Sequence, residues 1–318
     1  MPEAAAIAHA QPTPDPPDTA APQLRAEPSD IGVWERTLRW LRPARAMASR
    51  DLIRFARQPT RIASAILTPL IFWAMLGFGV GSAFQPGATS ALDTPVAAES
   101  TDAALADETF VEVVAAGPSY AAYLLPGAAM LMVMFTAIFA TIGVIEDRRE
   151  GFLQSVQVSP APPGAIVAGK VAAASLLAVG QAAVLLTIGW LATGTLLGWP
   201  QAVLTLGTLT VAAVAFAGLG LAAAWVMKST ASYHAGMMIV LMPAWAVSGA
   251  VFPLATAPTP MQAIMLANPA TYLTSINAFA VLGPEAGDLL ITPWIAGPAA
   301  VAVAATSLWL ARTAVARR

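Results

Sequence analysis

The chain alternates long apolar runs with short polar breaks. Six runs carry no Asp, Glu, Lys or Arg: about 62–84, 121–145, 171–197, 202–227, 235–256 and 289–310. Each reaches the roughly 20 residues that an α-helix needs to cross a bilayer. Hydrocarbon offers the backbone no partner but itself, so runs of this length predict helices. The pattern predicts an all-α polytopic membrane protein with six transmembrane helices, filling residues 62–318.

A different pattern precedes them. In 31–61, Trp34, Leu38 and Leu41, then Leu52, Ile53 and Phe55, recur at helical spacing. Arg36, Arg39, Arg42, Arg45, Arg50, Arg54, Arg57 and Arg61 supply the polar side. A basic amphipathic helix beside a span lies in the interface, its arginines at anionic headgroups. Pro43 is expected to break or bend it. Residues 1–30 are rich in Ala and Pro and lack an apolar signal region, so they read as a disordered cytoplasmic tail.

Charge orients the spans. All 16 Lys and Arg fall in four groups: Arg25 to Arg61, Arg148/Arg149/Lys170, Lys228, and Arg312/Arg317/Arg318. The other loops, chiefly 85–120, carry Asp and Glu alone. Basic loops stay cytoplasmic. Both termini are therefore expected in the cytoplasm, in a multi-pass protein of the cell membrane. The stretch 229–284 is long enough for two spans and has no formal charge beyond His234. A full span at 261–282 would carry the C-terminal arginines outside, against the charge rule. Pro258 to Gly283 therefore reads as a re-entrant or interfacial outer helical pair, broken at Asn268-Pro269.

Composition narrows the chemistry. With 57% hydrophobic and 11% charged residues, the chain is far from the roughly 25% charge of soluble domains. No cysteine is present, which excludes disulfides, thiolate metal sites and thiol nucleophiles. No phosphate-cradling GxxxxGK[ST] loop occurs. The runs lack the carboxylates of a proton relay. Ser248-Gly249 has Ala246 where a serine-protease elbow would want glycine, and His234 is distant. A pathway without its own energy source points to a partner that supplies it.

Several segments then stand in a recognisable order. They are Ser49-Arg50-Asp51-Leu52 through Arg57-Gln58-Pro59, Tyr123-Leu124-Leu125-Pro126-Gly127, and Glu146-Asp147-Arg148-Arg149-Glu150-Gly151-Phe152-Leu153 with Ser159-Pro160 and Gly169-Lys170. Ser248-Gly249, Phe252-Pro253-Leu254, Asn268-Pro269 and Tyr272 follow. From about residue 45 onward, the chain resembles the membrane subunit (permease) of an ABC-2-type ABC exporter, a group that includes drug, polysaccharide and lipid exporters. The resemblance implies that 31–61, with Arg50, Arg54 and Arg57, is a connecting helix. It also implies a coupling loop from about Glu146 to Lys170 that docks on a cytoplasmic ABC ATPase, with Glu146, Asp147, Arg148, Arg149, Glu150, Gly151, Pro160 and Lys170 as its marked positions. ATP and Mg would sit on that partner. This chain would hold no catalytic, cofactor or metal residue and would pair with a second permease copy or paralogue; nucleic acid is not an expected partner.

The same loop has a plainer reading, in which Arg148 and Arg149 anchor topology while Glu146 and Asp147 pair locally. Met242, Trp245, Ser248 and Phe252 lie about one turn apart. They face a pathway or pack helices, since Ser and Gly permit close approach. Asn268 and Tyr272 are gate candidates, although Asn268 also suits a helix cap. The expected function is outward movement of an amphipathic or hydrophobic compound by alternating access. The alternatives are an ion-coupled secondary transporter and a non-transporting membrane sensor or anchor.

Overall fold

Most of the described residues in the apolar runs are helical. The structure, a computed structural model, describes residues 33–80, 120–153, 162–194, 197–284 and 291–316, and no strand occurs among them. The 1–30 tail, most of the acidic 85–120 loop, Ser159, Pro160, Glu285, Asp288 and the last two arginines lie outside the described residues.

The elements run in order as α1 (Val33–Ala56), α2 (Pro59–Ala74) with a π-helical extension (Met75–Val80), α3 (Tyr120–Ala140) and α4 (Gly143–Arg149). They continue as α5 (Pro163–Thr193), α6 (Trp199–Val226) and α7 (Thr230–Trp245), which ends in a π-helical turn (Ala246–Ala250). After a 3-10 turn (Leu254–Thr256) come α8 (Thr259–Ala267), α9 (Pro269–Leu282) and α10 (Pro293–Ala316).

Five helical stretches are long and apolar enough to cross a membrane: Ile62–Gly79, Tyr120–Arg149, Gly164–Thr193, Trp199–Val226 and Pro293–Ala316. The run at 235–256 behaves differently. Its helix α7 has 16 residues, and the chain turns at Gly249, whose φ of 83° is a left-handed value that favours glycine. At about 1.5 Å per residue that helix alone is short of a bilayer.

Two boundaries depart from expectation. Pro162-Pro163 reads as loop punctuation, yet α5 starts at Pro163, where a missing N–H costs nothing. Lys170 is therefore a helix residue, not a loop residue. Pro43 lies inside α1, which runs through it unbroken. The hydrogen bond lost there is offset by packing: α1 lies along α5, and a Cβ on Gly169 would meet the Ala44 carbonyl oxygen at 2.5 Å.

Small residues let the helices approach closely in the interior, around large buried side chains such as Trp73, Met132 and Tyr233. α3 is the central helix, buried along nearly its whole length. On α6, Ala212, Ala213, Ala217, Gly218, Leu221 and Ala224 face inward, while Val203, Leu204 and Leu206 face out. A Cβ on Gly218 would lie 2.7 Å from Ser307 Oγ of α10, so the two helices approach at backbone distance. That is the packing logic of helices in lipid, where tails compete with any apolar side chain and close approach decides association. Leu67 and Ile71 on α2, Met75 of its π-helical extension, and Val301 and Trp309 on α10 remain exposed. Trp199 and Trp294, in the first turns of α6 and α10, are also exposed, whereas Trp190 packs partly buried on the core.

α8 and α9 meet at Asn268. Its side chain accepts from the Ala270 amide (3.0 Å), capping α9, and donates to the Ala244 carbonyl of α7 (2.6 Å). The helix break expected at Asn268-Pro269 is present, and it is tied to α7.

Candidate functional site

α1, α4 and α5 converge on one carboxylate. Asp147, with no exposed surface, accepts from Arg50 through both guanidinium arms (2.8 and 3.2 Å). Lys170 Nζ donates to the same carboxylate at 2.6 Å and pairs with Asp51 at 2.8 Å. Arg54 bonds Glu146 at 2.8 Å and reaches Asp147 at 3.5 Å. Three cations (Arg50, Arg54, Lys170) thus balance three carboxylates (Asp51, Glu146, Asp147). Arg50 also lies over the Phe152 ring, 3.9 Å from its centre. The hydrogen bond that Arg50 donates to Asp147 is the main cause that raises the pKa of its guanidinium above the ordinary value, so it stays charged.

The physics divides the cluster. Asp147 and Lys170 are buried, where removing one partner strands the other charge. The Arg54–Glu146 pair is more than a third exposed on both sides and contributes little by itself. Its role is to extend the buried node to the surface.

Arg148 and Arg149 work elsewhere. Arg148 donates to the carbonyls of Ala224 (2.6 Å) and Met227 (3.4 Å), and Arg149 to that of Lys228 (3.0 Å). Arg148 caps the C-terminal end of α6, where a cation offsets the helix dipole, and Arg149 binds the turn just beyond it. Glu150 is exposed, and Gly151 has φ 76°, which ends α4. Arg57 is exposed; with Arg50, Arg54 and Ile53 it lines an open groove of about 720 Å³ on α1. Pro160 lies outside the described residues.

The pathway candidates separate into two groups. Met242 lines an apolar groove of about 550 Å³ between α2, α3 and α7, with Phe72, Phe135, Phe139, His234 and Met238. Trp245, Ser248 and Tyr272 are hydrogen-bonded to the backbone or to neighbouring elements. Trp245 donates to the Gly127 carbonyl (2.9 Å), and buried Ser248 bonds the Trp245 carbonyl (2.7 Å) and Thr274 (3.1 Å). Tyr272 donates to the Leu266 carbonyl (2.8 Å), and Phe252 is half-buried beyond the π turn.

Several residues were missed in the sequence. Asp51 is one; it pairs with Lys170 from 119 residues away in the chain, so no spacing rule points to it. Asn277, Tyr123 and Tyr233 are others. Asn277 donates to the Pro126 carbonyl (3.2 Å), and Tyr123 to that of Gly249 (2.9 Å). Tyr233 donates to the carbonyls of Ile138 (3.0 Å) and Gly220 (3.2 Å), and its hydroxyl lies 2.9 Å from that of Thr141. No local signal marks these partners, because each is a long-range contact.

Five apolar helical stretches long enough to cross a membrane thus stand against an end locked by the Asp147 charge cluster. The family model of the ABC-2 type transporter matches residues 43–279, and the chain belongs to that family as a multi-pass membrane permease. It is similar to the probable multidrug ABC transporter permease YbhR of Escherichia coli strain K12, and to the protein of that name in Escherichia coli O157:H7. Each is 27% identical over 150 residues, covering 47% of this chain and 40% of the relative. The match thus spans less than half the length of these curated relatives.

Proposed function

We propose that this chain is the membrane subunit of an ATP-driven exporter, powered by a separate cytoplasmic ABC ATPase that carries ATP and Mg. The observation that carries the reading is the buried Asp147 node. It joins the arginine-lined outer face of α1 to α4 and α5. A push on α1 and α4 then reaches α3 and α5 as motion of one body, not as the slack of a loop. Arg57 and Glu150, exposed and of opposite sign, supply the register of a partner contact.

In this reading α7 and its π turn form a short fifth span, α8 and α9 pack as a re-entrant outer pair, and both termini are cytoplasmic. Two copies, or this chain and a paralogue, enclose the pathway. The groove between α2, α3 and α7 holds the cargo. Its volume falls within the roughly 300–1,000 Å³ of small-molecule sites. Its phenylalanine and methionine lining suits an amphipathic or hydrophobic compound. The multidrug label of the Escherichia coli relatives agrees with that class.

The test is uptake of a lipophilic fluorescent dye into inside-out vesicles holding the chain and its ATPase. ATP-dependent uptake that falls with Phe135→Ala or Met242→Trp supports the proposal. Uptake driven by an ion gradient without ATP replaces it with a secondary carrier.

A further inference from the structure

A second groove, remote from the α2/α3/α7 cavity, lies where α1, the start of α5 and the end of α10 meet. Its volume is about 810 Å³. Val167, Ala168, Ala305 and Leu308 form its apolar floor, and the indoles of Trp40 and Trp309 stand along it. Arg312 and Thr313 supply its polar lip, and none of the described residues that line it is acidic. Trp40, Trp309 and Arg312 are all exposed.

The level of the groove in the bundle decides what fits. α5 begins at Pro163 and α10 ends at Ala316, so the groove sits at a membrane boundary, where the apolar helix faces give way to charge. Tryptophan and arginine at that depth match the two halves of a lipid, with indoles at the carbonyl region and a cation at the headgroup phosphate. A second copy of this chain is a poorer occupant. In a two-fold contact the same patch meets itself, and none of its described lining residues offers Arg312 a carboxylate.

We propose that the α1/α5/α10 groove is a binding site for one anionic phospholipid of the surrounding leaflet, its acyl chain on Leu308 and Trp309 and its headgroup on Arg312. The lipid fills the notch between the interfacial helix α1 and the bundle, and so stabilises the seat of α1. The site stands on the membrane placement of the helices and is independent of what the chain transports.

Native mass spectrometry of the full chain in detergent micelles tests it. The micelles are doped with phosphatidylglycerol or with phosphatidylcholine of the same acyl chains. The expected result is one retained phosphatidylglycerol per chain, preferred about fivefold, the scale of one basic residue at an anionic lipid. Arg312→Gln should abolish the preference. Trp309→Ala should lower retention of both lipids, and Lys228→Gln should change neither. Both groove side chains are exposed, so these variants keep the fold. Equal retention of the two lipids by the unaltered chain overturns the site, as does a preference that survives Arg312→Gln. A shift from dimer to monomer in Arg312→Gln, with lipid retention unchanged, also overturns it and assigns the groove to a second copy.

Discussion

Lys170 Nζ lies 2.6 Å from the Asp147 carboxylate, and the two residues keep 4% and 0% of their surface exposed. They belong to different helices, α5 and α4, and Arg50 brings in a third. Replacing the carboxylate by an amide leaves Lys170 with Asp51 alone and Arg50 without its two-armed acceptor. Asp147→Asn should destabilise the protein by about 3–5 kcal/mol, the usual cost of stranding a buried charge. Lys170→Met should cost less, because Arg50 and Arg54 still neutralise Asp147. Denaturant unfolding in lipid-detergent micelles measures both, and equal losses would contradict this order.

Gly169 and Gly180 lie on the same helix, α5, in opposite circumstances. A Cβ on Gly169 runs into the Ala44 backbone, whereas a Cβ on Gly180 meets nothing within 4 Å. Gly169→Ala should push α1 off α5 and cost about 1–3 kcal/mol, as overpacking does. Gly180→Ala should be neutral or stabilise by up to about 1 kcal/mol through helix propensity. Cysteine cross-linking between α1 and α5, added to the unfolding series, should report loss of the α1 seat in the first variant only.

Tyr233 ties the turn after α3 to α6. Its buried hydroxyl is shared by the Ile138 and Gly220 carbonyls and by Thr141. Tyr233→Phe keeps the ring and removes these bonds, so it should cost about 1–2 kcal/mol. Hydrogen exchange should quicken at Thr141 and Ile142, where α3 passes into α4. Unchanged protection there would show that the turn is held by other contacts.

Much of this architecture is legible in the charge-free runs, because lipid punishes unpaired charge and unpaired backbone alike. The helix break at Asn268-Pro269 is legible for the same reason, as cap and proline stand side by side. The Asp147 node was only half visible. Glu146, Asp147 and Lys170 stand out as charges, but Lys170 reads as a loop residue until Pro163 is taken as a helix start. Which acids and bases pair depends on α1 folding back over α5 across more than a hundred residues of chain. The partial unwinding of α7 was hidden too: Gly249 looks like a packing glycine in the sequence and is a left-handed turn in the structure.

Gly127 is packed so closely on Ala250 that a Cβ would overlap its carbonyl oxygen. The α3 backbone there also receives Trp245 and Asn277. Gly127→Ala should prise α3 from the end of α7, at a cost of about 1–3 kcal/mol. If this contact moves during transport, the variant should also change the labelling rate of a cysteine placed at Phe252. An unchanged rate beside lost stability would make the contact purely structural.

The most direct test of the account measures ATP hydrolysis in lipid by the chain co-expressed with a candidate ABC ATPase. The measurement is made with and without the double change Arg57→Glu/Glu150→Lys, which alters exposed side chains and spares the Asp147 node. The prediction is a complex that copurifies and whose hydrolysis depends on the chain, falling about tenfold in the variant, equivalent to about 1.4 kcal/mol. A folded chain that captures no ATPase, or hydrolysis unaffected by the double change, would contradict coupling through the α1 and α4 surface.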